Sequence, residues 1–98
     1  MAFELAFTDQ ASNDLDTLES EAGLAKRFKA VCKALGFLET NLRHPGLNTH
    51  QYSSIRGLNG EEVFEAYAEN KTPAAWRIFW HDDPGKKQIT ILAITPHP

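Results

Sequence analysis

The sequence predicts an α+β fold: an N-terminal strand, a two-helix hairpin, and an antiparallel sheet of four to five strands on which the helices pack. Three observations carry this prediction. Apolar residues alternate with a period of two near the N-terminus and again in the C-terminal half, as in strands with one buried face. Between residues 11 and 42 they instead recur every three or four residues, the spacing of a helix face. The segment QITILAIT (88 to 95) is nearly all apolar or β-branched, as a strand in mid-sheet must be. Helices followed by a block of strands build a two-layer sandwich, because an antiparallel sheet needs its apolar face covered.

The elements follow in order. Phe3, Leu5 and Phe7 alternate with Glu4, Ala6 and Thr8 in the first strand. Thr8 and Asp9 can supply N-cap oxygens, and Ala11, Leu15, Leu18 and Ala22 share one face of a short helix that ends near Ser20 to Gly23. The second helix is the clearest element: Leu24, Phe28, Val31, Leu35, Leu38 and Leu42 form one apolar stripe, with Lys26, Lys29 and Lys33 on the other side. His44-Pro45-Gly46 stops it. Residues 50 to 55 form a weak strand, and Asn59-Gly60 marks a turn. Val63 to Glu69 and Ala75 to His81 are aromatic and β-branched strands joined by the polar loop after Glu69. Asp82-Asp83-Pro84-Gly85 turns the chain into the last strand, beside which the first strand is expected to pair, and Pro96 ends the pairing.

The 98 residues, 42% of them hydrophobic, suffice for one compact domain spanning 1–98. Cys32 has no partner for a disulfide and is expected in the core as a small apolar residue. No apolar run approaches the roughly 20 residues of a membrane span, and the first ten residues are acidic where a signal peptide is basic, so a cytoplasmic location is expected. The net charge of -3 counts against a nucleic-acid role unless basic residues gather on one surface. Lys26, Arg27, Lys29 and Lys33 are the one such concentration, and a solvated helix face explains it as well as an acidic partner does. Four histidines (44, 50, 81 and 97) do not make a metal site, since none stands at helical i, i+4 spacing and there is no second cysteine. No cofactor or metal is therefore expected.

The stretch GLNTH (46 to 50), the strand AAWRIFW (74 to 80) and the closing ITILAITPHP (89 to 98) resemble, in order and spacing, the RelE/ParE toxins of type II toxin–antitoxin systems. The likeness covers nearly the whole chain, although each motif is short. The resemblance implies the same two helices on a curved antiparallel sheet. It implies further that the protein cleaves messenger RNA on the ribosome, by attack of a ribose 2′-hydroxyl on the adjacent phosphate. Such chemistry needs a base, a cation for the phosphorane charge and an acid for the leaving oxygen, and no metal.

On this resemblance Arg77 matches the phosphate-binding arginine, whose planar fork suits two phosphate oxygens; a structural ion pair with Glu65 or Glu69 is the competing role. His97 matches the histidine after the last strand, a general acid or base. Glu65 and Tyr67 share a strand face and stand where RelE carries lysines; with the lysines absent, Glu65 becomes the candidate base and His97 the acid. His50 and Arg56 flank the weak strand as candidate substrate-binding groups. The C-terminal tyrosine common in the family is also missing. The implied partners are a cognate antitoxin encoded by the neighbouring gene, and the ribosome with its message. Two alternatives follow from the departures: a ParE-like protein that binds DNA gyrase without chemistry of its own, and an inactive toxin fold kept as a partner-binding module.

Overall fold

The computed structural model describes residues 3–69, 75–83 and 85–96. In chain order they form β1 (Glu4–Phe7), α1 (Asp9–Ser20), α2 (Ala25–Thr40), β2 (His50–Arg56), β3 (Glu62–Tyr67), β4 (Trp76–Asp83) and β5 (Gln88–Pro96). Single 3₁₀ turns stand at Ala22–Leu24 and Pro45–Leu47. The strands make one sheet in the order β1-β5-β4-β3-β2, with β5 inside it and β1 at its edge, as its composition requires. One feature differs from the expected antiparallel sheet: β1 runs parallel to β5, with Leu5 opposite Ile89, so the sheet is mixed. β2 to β5 reverse at each step, and those reversals set the direction in which β5 meets β1.

Both helices lie on one face of this sheet. Leu18 of α1 and Val31, Leu35 and Leu38 of α2 close over Ala66, Ile78, Trp80, Ile89, Ile91 and Ile94, all buried in one cluster. Phe28, Leu24 and Trp76 pack around it. Burying such side chains contributes about 1.5–3 kcal/mol each relative to leaving them in water, the main term holding the helices to the sheet.

β1 is too short to cover the whole edge of β5, and α1 completes the cover. Pairing ends at Phe7 opposite Ile91. Thr8 then acts twice: its hydroxyl accepts from Ala11 N at 3.1 Å as the N-cap of α1 and donates to the Leu92 carbonyl at 2.8 Å. One turn on, Asp14 Oδ2 accepts from the Ile94 backbone N–H at 2.9 Å. A helix side chain thus satisfies a buried strand donor on the side of β5 that β1 no longer covers. In Asp14→Ala that donor loses its acceptor, and urea unfolding is expected to show a loss of about 1–3 kcal/mol; Asp14→Asn, which keeps an acceptor oxygen, should lose less.

α2 stops at Thr40, earlier than His44-Pro45-Gly46 dictates. Asn41 turns extended (φ −156°) and its side chain accepts from Arg43 N at 3.1 Å, a local bond that competes with another helical turn. β4 likewise continues through Asp83, so Asp82 and Asp83 belong to the strand and not to the turn; Pro84 and the loop at 70–74 lie outside the described residues. Ala22, expected on the buried face of the first helix, is exposed on the 3₁₀ turn after it.

Cys32 is exposed, which corrects its assignment to the core. It lies about 100° round the helix from Val31, beyond the apolar stripe and beside the lysines. Partial burial and the nearby Glu19 carboxylate push its thiol above the ordinary pKa. Less thiolate is then present at neutral pH, so alkylation by iodoacetamide at pH 7.5 is expected to run several-fold slower than for free cysteine and to accelerate as the pH rises.

Candidate functional site

Helices cover one face of the sheet, and the chemistry gathers on the other. Alternation places Glu65 and Tyr67 of β3 and Arg77, Phe79 and His81 of β4 on this open face. The register brings them together: His50 stands opposite Glu65, Tyr67 opposite Arg77, and Arg77 opposite Thr95. Trp76, Ile78 and Trp80 alternate to the helix side and join or border the core.

Glu65 is the centre of the cluster, only 1% exposed. Its Oε1 lies 2.7 Å from His50 Nε2, and its Oε2 lies 3.8 Å from Arg77 Nε. His50 Nδ1 faces the Asn48 carbonyl at 3.1 Å, so an acceptor stands at each ring nitrogen. Asn48 itself is left-handed (φ 45°), a conformation that asparagine tolerates better than most residues. Arg77 is 7% exposed. Its guanidinium lies over the Tyr67 ring at 3.7 Å, and Nη1 donates to the Glu69 carbonyl at 2.7 Å. The Glu69 carboxylate reaches Arg27 of α2 at 3.5 Å, which ties the helix to this end of the sheet. Rings extend the face: His50 meets Tyr67 edge-on, and Tyr52 meets Phe79 edge-on.

A buried carboxylate held between a half-exposed imidazole and a guanidinium can relay a proton through the imidazole. His50 is its accessible end, with 48% of its side chain in solvent. Four of the residues singled out in the sequence, His50, Glu65, Tyr67 and Arg77, are thus in mutual contact. Arg56 is not with them. It pairs with Glu62, three positions along β3 and on the alternate face, because irregular pairing in β2 between Gln51 and Arg56 changes the register. His97 lies outside the described residues; Thr95 opposite Arg77 and Pro96 opposite Trp76 show that β5 leaves the sheet at the Arg77 end.

A second constellation was not singled out in the sequence. His81, 7% exposed, sits on the open face with Asp83, whose carboxylate also accepts from Thr90 at 2.9 Å. The signal was present: a His-x-Asp spacing on a strand puts both residues on one face.

Among the described residues no group of three or more His, Cys, Asp or Glu is placed to hold a metal ion, and no helix is long and apolar enough to cross a membrane. Of the basic run on α2, Lys26, Lys29 and Lys33 are exposed, while Arg27 is partly covered and engaged by Glu69.

No protein-family model and no curated protein matches the sequence. Solved structures do match. A YoeB/ParE toxin from Agrobacterium tumefaciens superposes with a TM-score of 0.70 at 9% identity, over 97% of this chain and 99% of that one. The toxin–antitoxin complex DinJ–YafQ from Escherichia coli gives 0.68 at 14%, over 99% and 94%. The RelE–RelB complex from the archaeon Pyrococcus horikoshii gives 0.66 at 14%, over 98% and 96%. The chain therefore has the fold of the RelE, YoeB and YafQ proteins along almost its entire length.

Proposed function

We propose that this protein is the toxin of a type II toxin–antitoxin pair that cleaves messenger RNA on the ribosome, with the His50–Glu65–Tyr67–Arg77 cluster as its centre. The observation that carries the proposal is Glu65, a buried carboxylate at 2.7 Å from an exposed imidazole on the face that the helices leave open. In this reading Glu65 and His50 together take the proton of the attacking 2′-hydroxyl. Arg77 supplies positive charge for the phosphorane, with Tyr67 holding the guanidinium plane, and His97 protonates the departing 5′-oxygen. The O2′–P bond forms, the P–O5′ bond breaks, and a cyclic phosphate and a 5′-hydroxyl result. Arg56, on the alternate face, contributes binding charge only at the periphery.

The fold supports the toxin assignment, and two of the matched structures are complexes described by their partners, RelB and DinJ. A cognate antitoxin is accordingly the expected partner here. The second reading, gyrase binding without chemistry, is favoured by one observation: Arg77 is already engaged by Glu65 and the Glu69 carbonyl, which leaves little of it for a phosphate.

Induced expression in a bacterial host, with growth followed while the 5′ ends of cellular messages are mapped, separates the readings. Cleavage predicts arrest with new in-frame cuts, and His97→Ala is expected to reduce the cuts at least about a hundredfold, the usual scale of a general acid. Arrest with intact messages and induced DNA damage would replace the ribonuclease by the gyrase reading. Absence of arrest would leave a partner-binding module.

A further inference from the structure

Where β4 meets the turn between β2 and β3, a cleft of about 430 Å³ opens, away from the Glu65 cluster. Leu58, Glu61, His81, Asp83, Lys86 and Leu92 line it. Much of its polar wall is already satisfied: Thr90 and Gln88 both donate to Asp83, and the Thr8 hydroxyl is engaged by Leu92 and Ala11.

His81 is the exception. Its Nδ1 lies 3.1 Å from Asp83 Oδ1 and 3.1 Å from the Asp82 carbonyl. Both are acceptors, so in the neutral ring the proton sits on Nδ1. Nε2 is then an acceptor, and among the described residues nothing donates to it. In that tautomer the imidazole nitrogen left over, on a ring that lines the cleft, is open to a donor from a ligand. Glu61 adds a charged acceptor: its own backbone N–H and that of Asn59, which donates to Oε1 at 2.9 Å, hold its carboxyl below the usual range. Leu58 stands at the lip wholly exposed, 102% of its reference area, with Leu92 also lining the cleft.

Two carboxylates against one ammonium, an imidazole nitrogen and apolar side chains make a complement for a donor-rich cation on an apolar stem. We infer that this cleft receives an arginine side chain of a partner polypeptide, its guanidinium between His81 Nε2 and Glu61 and its methylenes along Leu58 and Leu92. Arginine fits better than lysine because its planar fork donates in two directions at once and accepts nothing. A polypeptide is the source because Leu58 is left for the chain carrying the arginine to cover, and the net charge of -3 favours a basic partner. The inference stands on this cleft alone, whichever reading of the Glu65 cluster holds.

The opposing charge, Lys86, gives the test its sign. The full chain, ¹⁵N-labelled, is titrated with the blocked peptide acetyl-Gly-Arg-Gly-amide while the His81 ring and the Leu58 and Glu61 amides are followed by NMR. Saturable shifts confined to these groups are expected. Replacing the arginine by citrulline, or Glu61→Gln in the protein, should each weaken binding about tenfold, the scale of one charged hydrogen bond. Lys86→Gln should tighten it several-fold. The inference is overturned by an absence of saturable shifts, by equal binding of the citrulline peptide, or by weaker binding in Lys86→Gln. Tighter binding of free agmatine than of the blocked peptide would overturn the polypeptide source.

Discussion

Arg77→Ala is expected to lower the unfolding free energy by about 3–5 kcal/mol, the scale on which removing one partner of a buried ion pair destabilises a fold. The geometry puts Arg77 in that class. Glu65 is 1% exposed and has Arg77 Nε 3.8 Å from its Oε2. Alanine also uncovers the Tyr67 ring, over which the guanidinium lies at 3.7 Å, and removes the donor to the Glu69 carbonyl. Guanidinium chloride unfolding of the single variant measures the loss. The double variant Glu65→Leu/Arg77→Met checks its cause: with both charges replaced by apolar groups of similar volume, stability should return to within about 1–2 kcal/mol of wild type or exceed it. His50, half in solvent, survives the loss of its partner without a comparable cost. A single-variant loss below about 1 kcal/mol would mean that another cation or water compensates Glu65. The double variant also separates folding from activity. It should be folded and unable to arrest growth, and arrest by it would remove this cluster from the mechanism.

Ile78→Ala is expected to cost about 2–5 kcal/mol, because the side chain is fully buried between the sheet and the helices and the cavity it leaves collapses only in part. For a chain of this size a loss near 3 kcal/mol lowers Tm by roughly 12–24 °C, readable by calorimetry. Ile78→Val, which removes one methylene, should cost about 1 kcal/mol. The contrast between the two identifies packing volume, and not backbone disturbance in β4, as the cause. A loss in Ile78→Ala as small as that in Ile78→Val would show that the helix layer closes over the gap.

Much of the framework was legible in the residues because hydrophobic period reports burial directly. The stripe from Leu24 to Leu38 and the alternation of Trp76, Ile78 and Trp80 each name the face that the structure buries. Local chemistry was readable too: Thr8 caps α1, and Gly60 takes φ 82° in the turn after Asn59. Errors arose where a residue's neighbours in space overrode its type. Cysteine is commonly buried, but Cys32 lies just past the edge of the stripe and is exposed. Proline and glycine promised the end of α2 at His44, and Asn41 ended it sooner by bonding to its own backbone neighbourhood.

For the candidate site the division is sharper. Alternation alone put Glu65 with Tyr67 and Arg77 with Phe79 and His81, since side-chain direction in a strand is a local property. Which strands lie side by side, and in what register, is not local. Only the tertiary structure set His50 against Glu65 at 2.7 Å, laid Arg77 across Tyr67, and used the irregular pairing of β2 to carry Arg56 to the alternate face. It alone made α1 the cover for the free edge of β5 through Asp14, a bond across 80 residues. The sequence by itself determined the elements, their buried faces and the candidate residues, because those depend on period and residue type. Strand order, register and burial decided which of those residues meet and which are shielded from solvent, because contact between distant segments is fixed only when the whole sheet closes under its helices.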